Sequence, residues 1–156
     1  MNPLWKRKVI EYASHERKGD IGNLKIMADL AVKGFKILTP LSEHLPFDLV
    51  AYCQETSKLY KIQSKYKKLV GDKVVVNLRT SYATNSGCFS NRYSYDAFDV
   101  LAVYCPDIDL TFYIKSSDLI ELENSVTFRT EPPKAGVSGV LTTKSRMVND
   151  YLHFPV

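Results

Sequence analysis

Three polar residues are spaced so that they could act as one chemical group. Asp48 begins an apolar run, and Gln63 and Lys65 stand two residues apart in a later segment that alternates apolar and polar residues. Because side chains two apart on a strand point to the same face, Gln63 and Lys65 should project together. If the two segments pair as a hairpin, Asp48 faces the same pocket.

A carboxylate, an amide oxygen and an ammonium in one pocket would suit the hydrolysis of a phosphodiester. That reaction needs a divalent ion, oxygen ligands that hold it, and a cation near the attacking water or the scissile phosphate. A lone aspartate on a strand, however, is often a turn or cap residue, and a lysine on an exposed strand is usually solvated. Spacing alone therefore leaves both interpretations open.

The elements that must position these residues are a helix and several strands. Apolar residues within 21–32, among them Leu24, Met27 and Val32, recur at helical spacing, and Gly34 follows as a C-cap. Strands are predicted over residues 35–38, 47–52, 59–65, 73–78, 97–104 and 110–114, the last two as a hairpin. The Ser-, Asn-, Gly- and Tyr-rich span 79–95 is predicted to be a loop. The pattern indicates an α/β or α+β fold with a mixed sheet.

Composition and charge set the broad class. A chain of 156 residues is expected to form a single domain over 1–156, and its net charge of +4 is compatible with a polyanionic partner. Three widely spaced cysteines favour neither a disulfide framework nor a zinc site, and they indicate a reducing compartment. No secretory signal and no membrane span are recognisable, so we expect a soluble, cytoplasmic protein without a membrane partner.

Several motifs occur along the chain in an order that is more specific than the three polar residues. They are KGDIG at 18–22, PLSEHLPFDL at 40–49, YKIQSK at 60–65 and FDVLAVYCP at 98–106. With this order, the chain resembles the PD-(D/E)XK nuclease superfamily, and in particular the small branch of homing endonucleases encoded in bacterial group I introns. The resemblance implies a restriction-endonuclease-like core, in which helices flank a mixed sheet, that binds Mg²⁺ and cuts both strands of DNA.

The resemblance also implies roles for individual residues. Asp48 is similar to the metal-binding aspartate of the superfamily, and Gln63 stands where most members have Asp or Glu and this branch often has Gln. Lys65 is similar to the catalytic lysine. The backbone carbonyl of Ser64 would be a further metal ligand.

One departure from the family pattern concerns the first helix. Asn23 stands where the branch usually has a glutamate, so Asp48 would be the only anion that holds the metal. Asp20, three residues earlier on the same helix face, is the carboxylate that could compensate. Metal binding is then weak, or another carboxylate completes the site, or this copy is inactive.

Two groups of residues are candidates for holding DNA. Lys67 and Lys68 follow the motif lysine and could contact phosphates, although a solvated basic face explains any single lysine equally well. The span 79–95 offers guanidinium and amide groups of the kind that pair with guanine and adenine edges. These candidates are Arg79, Asn85, Asn91 and Arg92, interleaved with tyrosines that include Tyr93.

Together, the residues and the resemblance predict a site-specific, Mg²⁺-dependent endonuclease of homing type that acts on double-stranded DNA. A chain this small is expected to work as a homo-oligomer, a dimer or tetramer, because cutting two strands needs two active sites. The alternatives are a Holliday-junction or repair nuclease with the same core, and a catalytically inactive DNA-binding module.

Overall fold

The computed structural model describes residues 15–42, 44–84, 87–94, 96–120, 122, 124–132 and 146–156. These ranges contain helix α1 (His15–Val32) and two short 3₁₀ helices (Ser116–Leu119 and Val148–Tyr151). The strands are β1 (Lys36–Leu38), β2 (Leu49–Cys53), β3 (Lys58–Tyr66), β4 (Leu69–Val70), β5 (Lys73–Asn77), β6 (Arg79–Thr84), β7 (Gly87–Arg92), β8 (Val100–Cys105), β9 (Leu110–Lys115), β10 (Ser125–Arg129) and β11 (Arg146–Met147).

The main sheet has five strands in the order β1-β2-β3-β8-β9. Strands β2 and β3 pair antiparallel with Leu49 opposite Ile62, and β3 and β8 pair parallel with Ile62 opposite Val100. The sheet is therefore mixed, and the predicted α+β class is confirmed. The predicted hairpin of β8 and β9 is also present.

Helix α1 packs on one face of this sheet through Ile26 and Leu30, which are fully buried. The helix itself is confirmed, but its predicted apolar face is wrong, because Leu24 is 65% exposed and Val32 is 88% exposed. The apolar residues of α1 occur on several sides of the helix, so their spacing alone does not identify the side that packs on the sheet. Within the described residues, no helix has the length and apolar character needed to cross a membrane.

The other face of the main sheet is covered by a second sheet, with strand order β11-β10-β5-β4. The six residues of β8 are all buried, so this strand is covered on both faces of the main sheet. Leu101 and Val103 pack toward the second sheet, and Val100 and Ala102 pack toward the helix. In the described part of the chain, the main sheet thus lies between one helix and one smaller sheet.

The span predicted to be a loop contains a β-hairpin instead. Strands β6 and β7 form a two-stranded sheet of their own, with Arg79 opposite Arg92 and Thr84 opposite Gly87. Gly87 has a φ of 136°, a value that favours glycine at the turn. A two-stranded ribbon that joins neither larger sheet needs no continuous apolar face, so its polar composition resembled that of a loop.

The packing of α1 predicts different costs for two truncations on the same helix. Ile26→Ala should lower the free energy of unfolding by about 2–5 kcal/mol, because it removes a fully buried side chain. Leu24→Ala is the matched control and should change it by no more than about 0.5 kcal/mol, because this leucine is largely exposed. Urea titrations of both variants would measure the difference, and equal costs would contradict the packing of α1.

Candidate active site

The pairing of β2 with β3 brings Asp48 next to Gln63. Asp48 lies one residue before β2, and its backbone N–H donates to the carbonyl oxygen of Ile62 at 2.9 Å. Gln63 is buried on β3, with 9% of its surface exposed. Its Nε2 donates to Oδ2 of Asp48 at 2.5 Å. The aspartate and the glutamine are therefore neighbours on adjacent strands.

Ser64 holds the same carboxylate from a second side. Its backbone N–H donates to Oδ2 of Asp48 at 2.7 Å, and its hydroxyl lies 2.9 Å from that oxygen. Two N–H groups thus donate to Oδ2 and the Ser64 hydroxyl lies against it, while Oδ1 of Asp48 accepts no hydrogen bond from the described residues. Such an arrangement fixes the orientation of the carboxylate and leaves one oxygen available to a ligand.

The oxygens of this cluster suit a divalent cation. Nε2 of Gln63 faces both Oδ2 of Asp48 and, at 3.4 Å, the carbonyl oxygen of Ser64, so two oxygens converge on one positively polarised group. Turning the Gln63 amide over would add its own oxygen to the set. Carboxylate, amide and carbonyl oxygens are the hard ligands that Mg²⁺ prefers. They carry one formal charge, and the described residues contain no group of three His, Cys, Asp or Glu side chains at metal-binding distance.

Asn23 reaches this cluster from helix α1. A Cβ added at Gly22 would lie 3.2 Å from Cβ of Tyr66, so the glycine permits the close approach of α1 to β3. Asn23 follows it, and the hydroxyl of Ser64 donates to Oδ1 of Asn23. The structure therefore links Asn23 to Asp48 through Ser64, whereas Asp20 lies exposed on the helix.

Lys65 lies on the same face of β3 as Gln63, in the cleft beside Asp48. Its ammonium stands 4.9 Å from the ring centroid of Tyr93. Burial lowers the pKa of Lys65, and the charge of Asp48 opposes that effect. Burial, together with the charge of Asp48, raises the pKa of Tyr93 to about 12. The cation and the phenol thus share a partly dehydrated space with the carboxylate.

A cleft of about 560 Å³ opens over these residues. Asp48, Gln63, Lys65, His44, Arg79 and Tyr93 are among the residues that line it. One acid, one amide and three basic side chains around a space of this size can receive an anionic group together with a metal ion.

The sequence of the chain matches a known family over most of its length. The family model of the PD-(D/E)XK endonucleases covers residues 13–145. The chain belongs to this family. Its fold is also similar to that of a bacterial homing endonuclease, I-Ssp6803I, with a TM-score of 0.66 and 19% sequence identity over 89% of this chain and 88% of that one. Among curated proteins, none matches the sequence.

Of the residues predicted to hold DNA, two lie close to the cleft of this PD-(D/E)XK endonuclease. Arg79 lines it. Lys67 follows β3, and its pKa is lowered by burial and by the charge of Lys65. Lys68, the next residue along the chain, is exposed.

The remaining predicted contacts lie on or near the β6–β7 hairpin. Asn91 is exposed on β7, opposite Thr80. The backbone of Arg92 pairs with that of Arg79, while the placement of its side chain lies outside the description. Asn85 falls outside the described residues.

Two residues of the cleft, His44 and Tyr93, carried little signal in the sequence. His44 has a φ of 64°, in the left-handed region that few residues other than glycine adopt, and it lines the cleft four residues before Asp48. Tyr93 follows the hairpin, and its contact with Lys65 depends on how the ribbon returns to the main sheet. No short-range spacing could have indicated that contact.

The contact between Gln63 and Asp48 predicts the effect of a second carboxylate. In the metal-free protein, Gln63→Glu replaces a hydrogen-bond donor by an anion facing Oδ2 of Asp48, so the melting temperature should fall. Added Mg²⁺ should then raise the melting temperature more in the variant than in the wild type, since a ligand that binds only the folded state stabilises it.

Both effects are measured as melting temperatures, first without Mg²⁺ and then at Mg²⁺ concentrations that rise in roughly tenfold steps. The experiment does not require the protein to be active. Gln63→Leu is the control, because it removes the donor and supplies no anion. If Mg²⁺ stabilises Gln63→Glu no more than Gln63→Leu, Gln63 does not face the metal.

Proposed function

We propose that this protein is a Mg²⁺-dependent endonuclease of homing type that cuts both strands of DNA at a specific site. The observation that carries the proposal is the convergence of Asp48, Gln63 and Lys65 in one cleft of a PD-(D/E)XK endonuclease. Gln63 is buried and Lys65 is half-buried on one face of β3, where both side chains line the cleft. Together with a carboxylate they supply the parts that phosphodiester hydrolysis needs.

Three groups of the chain would hold the ion. They are the carboxylate of Asp48, the carbonyl oxygen of Ser64 and, once the amide is turned over, the amide oxygen of Gln63. Nε2 of Gln63 now lies 2.5 Å from Oδ2 of Asp48 and 3.4 Å from the carbonyl oxygen of Ser64. When bound, Mg²⁺ supplies Lewis-acid stabilisation of the phosphate and lowers the pKa of a water molecule.

Lys65 would act on the charge that develops during the reaction. Because its ammonium is partly dehydrated, it interacts more strongly with a nearby anion than a solvated lysine does. A cation fixed beside the scissile phosphate stabilises the extra negative charge of the transition state and orients the attacking water.

The β6–β7 hairpin is the element best suited to reading the DNA sequence. A two-stranded ribbon fits the major groove, where arginine and asparagine side chains distinguish base pairs. Arg79 starts the ribbon at the cleft and Asn91 is exposed on its second strand. Arg92 and Asn85 belong to the same proposed surface, and Lys67 and Lys68 would contact phosphates beside it.

The homing character and the assembly have their own sources of support. One solved structure with a similar fold is a bacterial homing endonuclease, and the likeness spans nearly all of both chains. A homo-oligomer, dimer or tetramer, would place one active site on each DNA strand. A Holliday-junction or repair nuclease would use the same cleft on a branched substrate, and the single carboxylate leaves an inactive DNA-binding module as the third outcome.

The role of Lys65 predicts a separation of cleavage from binding. Lys65→Ala should abolish Mg²⁺-dependent cleavage and leave DNA affinity within a few-fold of the wild type. Lys68→Ala is the matched control, because it removes the same charge from an exposed position and should lower affinity slightly without slowing the cut. Single-turnover cleavage and gel shifts of the three proteins measure the two effects.

The substrate class is tested with the same proteins. Genomic DNA, supercoiled plasmid and a four-way junction are each incubated with Mg²⁺, and the cut ends are sequenced. A recurring double-strand cut supports the homing proposal, and cleavage of the junction alone replaces it with the resolvase alternative. If Lys65→Ala cuts at the wild-type rate, the assignment of the active site is contradicted.

Binding should also be strongly electrostatic. With six or more phosphate contacts per assembly, affinity for duplex DNA should fall roughly 10³-fold or more between about 50 and 200 mM salt. Gel shifts at a series of salt concentrations measure the slope. A flat response would argue against the proposed lysine and arginine contacts.

A further inference from the structure

Lys65 is a half-buried cation without an ionic partner in the part of the chain that the structure describes. The ion pairs there join Lys25 to Asp109, Lys33 to Asp29 and Arg129 to Asp72. The contact made by the Lys65 ammonium is instead with the ring of Tyr93, 4.9 Å from its centroid. Something other than a salt bridge must therefore fix the position of this ammonium.

The ring of Tyr93 is itself held in place. It meets the ring of Phe98 edge-on, with centroids 5.4 Å apart and an interplanar angle of 85°. Phe98 is only 3% exposed and belongs to the core between the two sheets. The backbone N–H of Tyr93 also donates to the carbonyl oxygen of Leu78 at 3.4 Å. The tyrosine is thus anchored to the core and to the end of β5, while one face of its ring meets the cleft.

An aromatic ring does something here that a carboxylate could not. The negative face of the ring attracts a cation but carries no net charge, so it competes for neither a metal ion nor a phosphate. Among the described residues, Asp48 is the anion whose charge already acts on Lys65. An ion pair between them would occupy the carboxylate that the metal needs.

We propose that Tyr93 is a positioning residue whose ring holds the Lys65 ammonium in the cleft and keeps it from forming an ion pair with Asp48. The inference rests on the proposed function, because it explains how the lysine and the metal-binding aspartate work side by side. The hydroxyl of Tyr93 is not needed for this role. A phenylalanine at this position should still hold the Lys65 ammonium, and a leucine should not.

The first experiment uses the protein alone and needs neither metal nor DNA. The ε-methylene protons of a lysine that lies over an aromatic face are shifted upfield, and the Lys65 signal is identified by its loss in Lys65→Ala. The shift should persist in Tyr93→Phe and disappear in Tyr93→Leu. A shift that persists in Tyr93→Leu would show that the ring does not hold Lys65.

The second experiment measures single-turnover cleavage and DNA affinity. Tyr93→Leu should slow cleavage roughly tenfold, the scale of a partly dehydrated cation–π contact, with affinity unchanged. Tyr93→Phe should cut at the wild-type rate. Tyr151→Leu is the matched control, since this tyrosine also packs edge-on against a buried phenylalanine, Phe128, but away from the cleft.

The outcomes separate the inference from the proposed function. If Lys65→Ala cuts normally, the active-site assignment fails, whatever Tyr93 does. If Lys65→Ala is inactive but Tyr93→Leu cuts at the wild-type rate, the positioning role alone is overturned. A Tyr93→Phe variant as slow as Tyr93→Leu would assign the effect to the hydroxyl and overturn it as well.

Discussion

The hydrogen bonds that join Asp48 to residues 62–64 of β3 are the constraint on which the rest of the site depends. The backbone N–H of Asp48 bonds Ile62, and its carboxylate accepts the backbone N–H of Ser64, so backbone and side chain fix the same register of β2 on β3. A slip of one residue would turn every side chain of β3 to the opposite face. Gln63 and Lys65 would then point into the core instead of into the cleft.

A second constraint holds the parallel neighbour of β3 beside the cleft. The carboxylate of Asp99 accepts the backbone N–H of Lys61 at 2.7 Å, and the N–H of Asp99 donates to the carbonyl of Lys61 at 2.9 Å. Strand β8 is buried on both faces, and β3 is pinned to it just before the active-site residues begin. The segment that carries Gln63 and Lys65 therefore follows directly on a hydrogen-bonded junction with a buried strand, a support that a precisely placed site requires.

Much of this arrangement could be predicted from the sequence, because it depends on short-range patterns. The alternation along β3 predicted that Gln63 and Lys65 share a face. The position of Asp48 depended on whether the two segments form a hairpin, a condition that the pairing of β2 with β3 meets. The buried side of α1 could not be predicted, because the helix has apolar residues on several sides. Contact with the sheet determines that Ile26 is the one that is buried. The contact of Tyr93 with Lys65 could not be predicted either, because a polar hairpin separates the two residues along the chain.

The charge of the cleft has a thermodynamic consequence. Asp48 contributes one negative charge and Lys65 one positive charge, and the third position that often carries an acid is the neutral amide of Gln63. Arg79 lines the same cleft, so before any ligand arrives these charges sum to a positive value and a divalent cation would gain little by entering alone. A phosphate brings the missing anion, and the cation in turn offsets the phosphate. Under the proposed function, each would then raise the affinity of the other by the same factor, and the metal and the nucleic acid would bind as a cooperative pair.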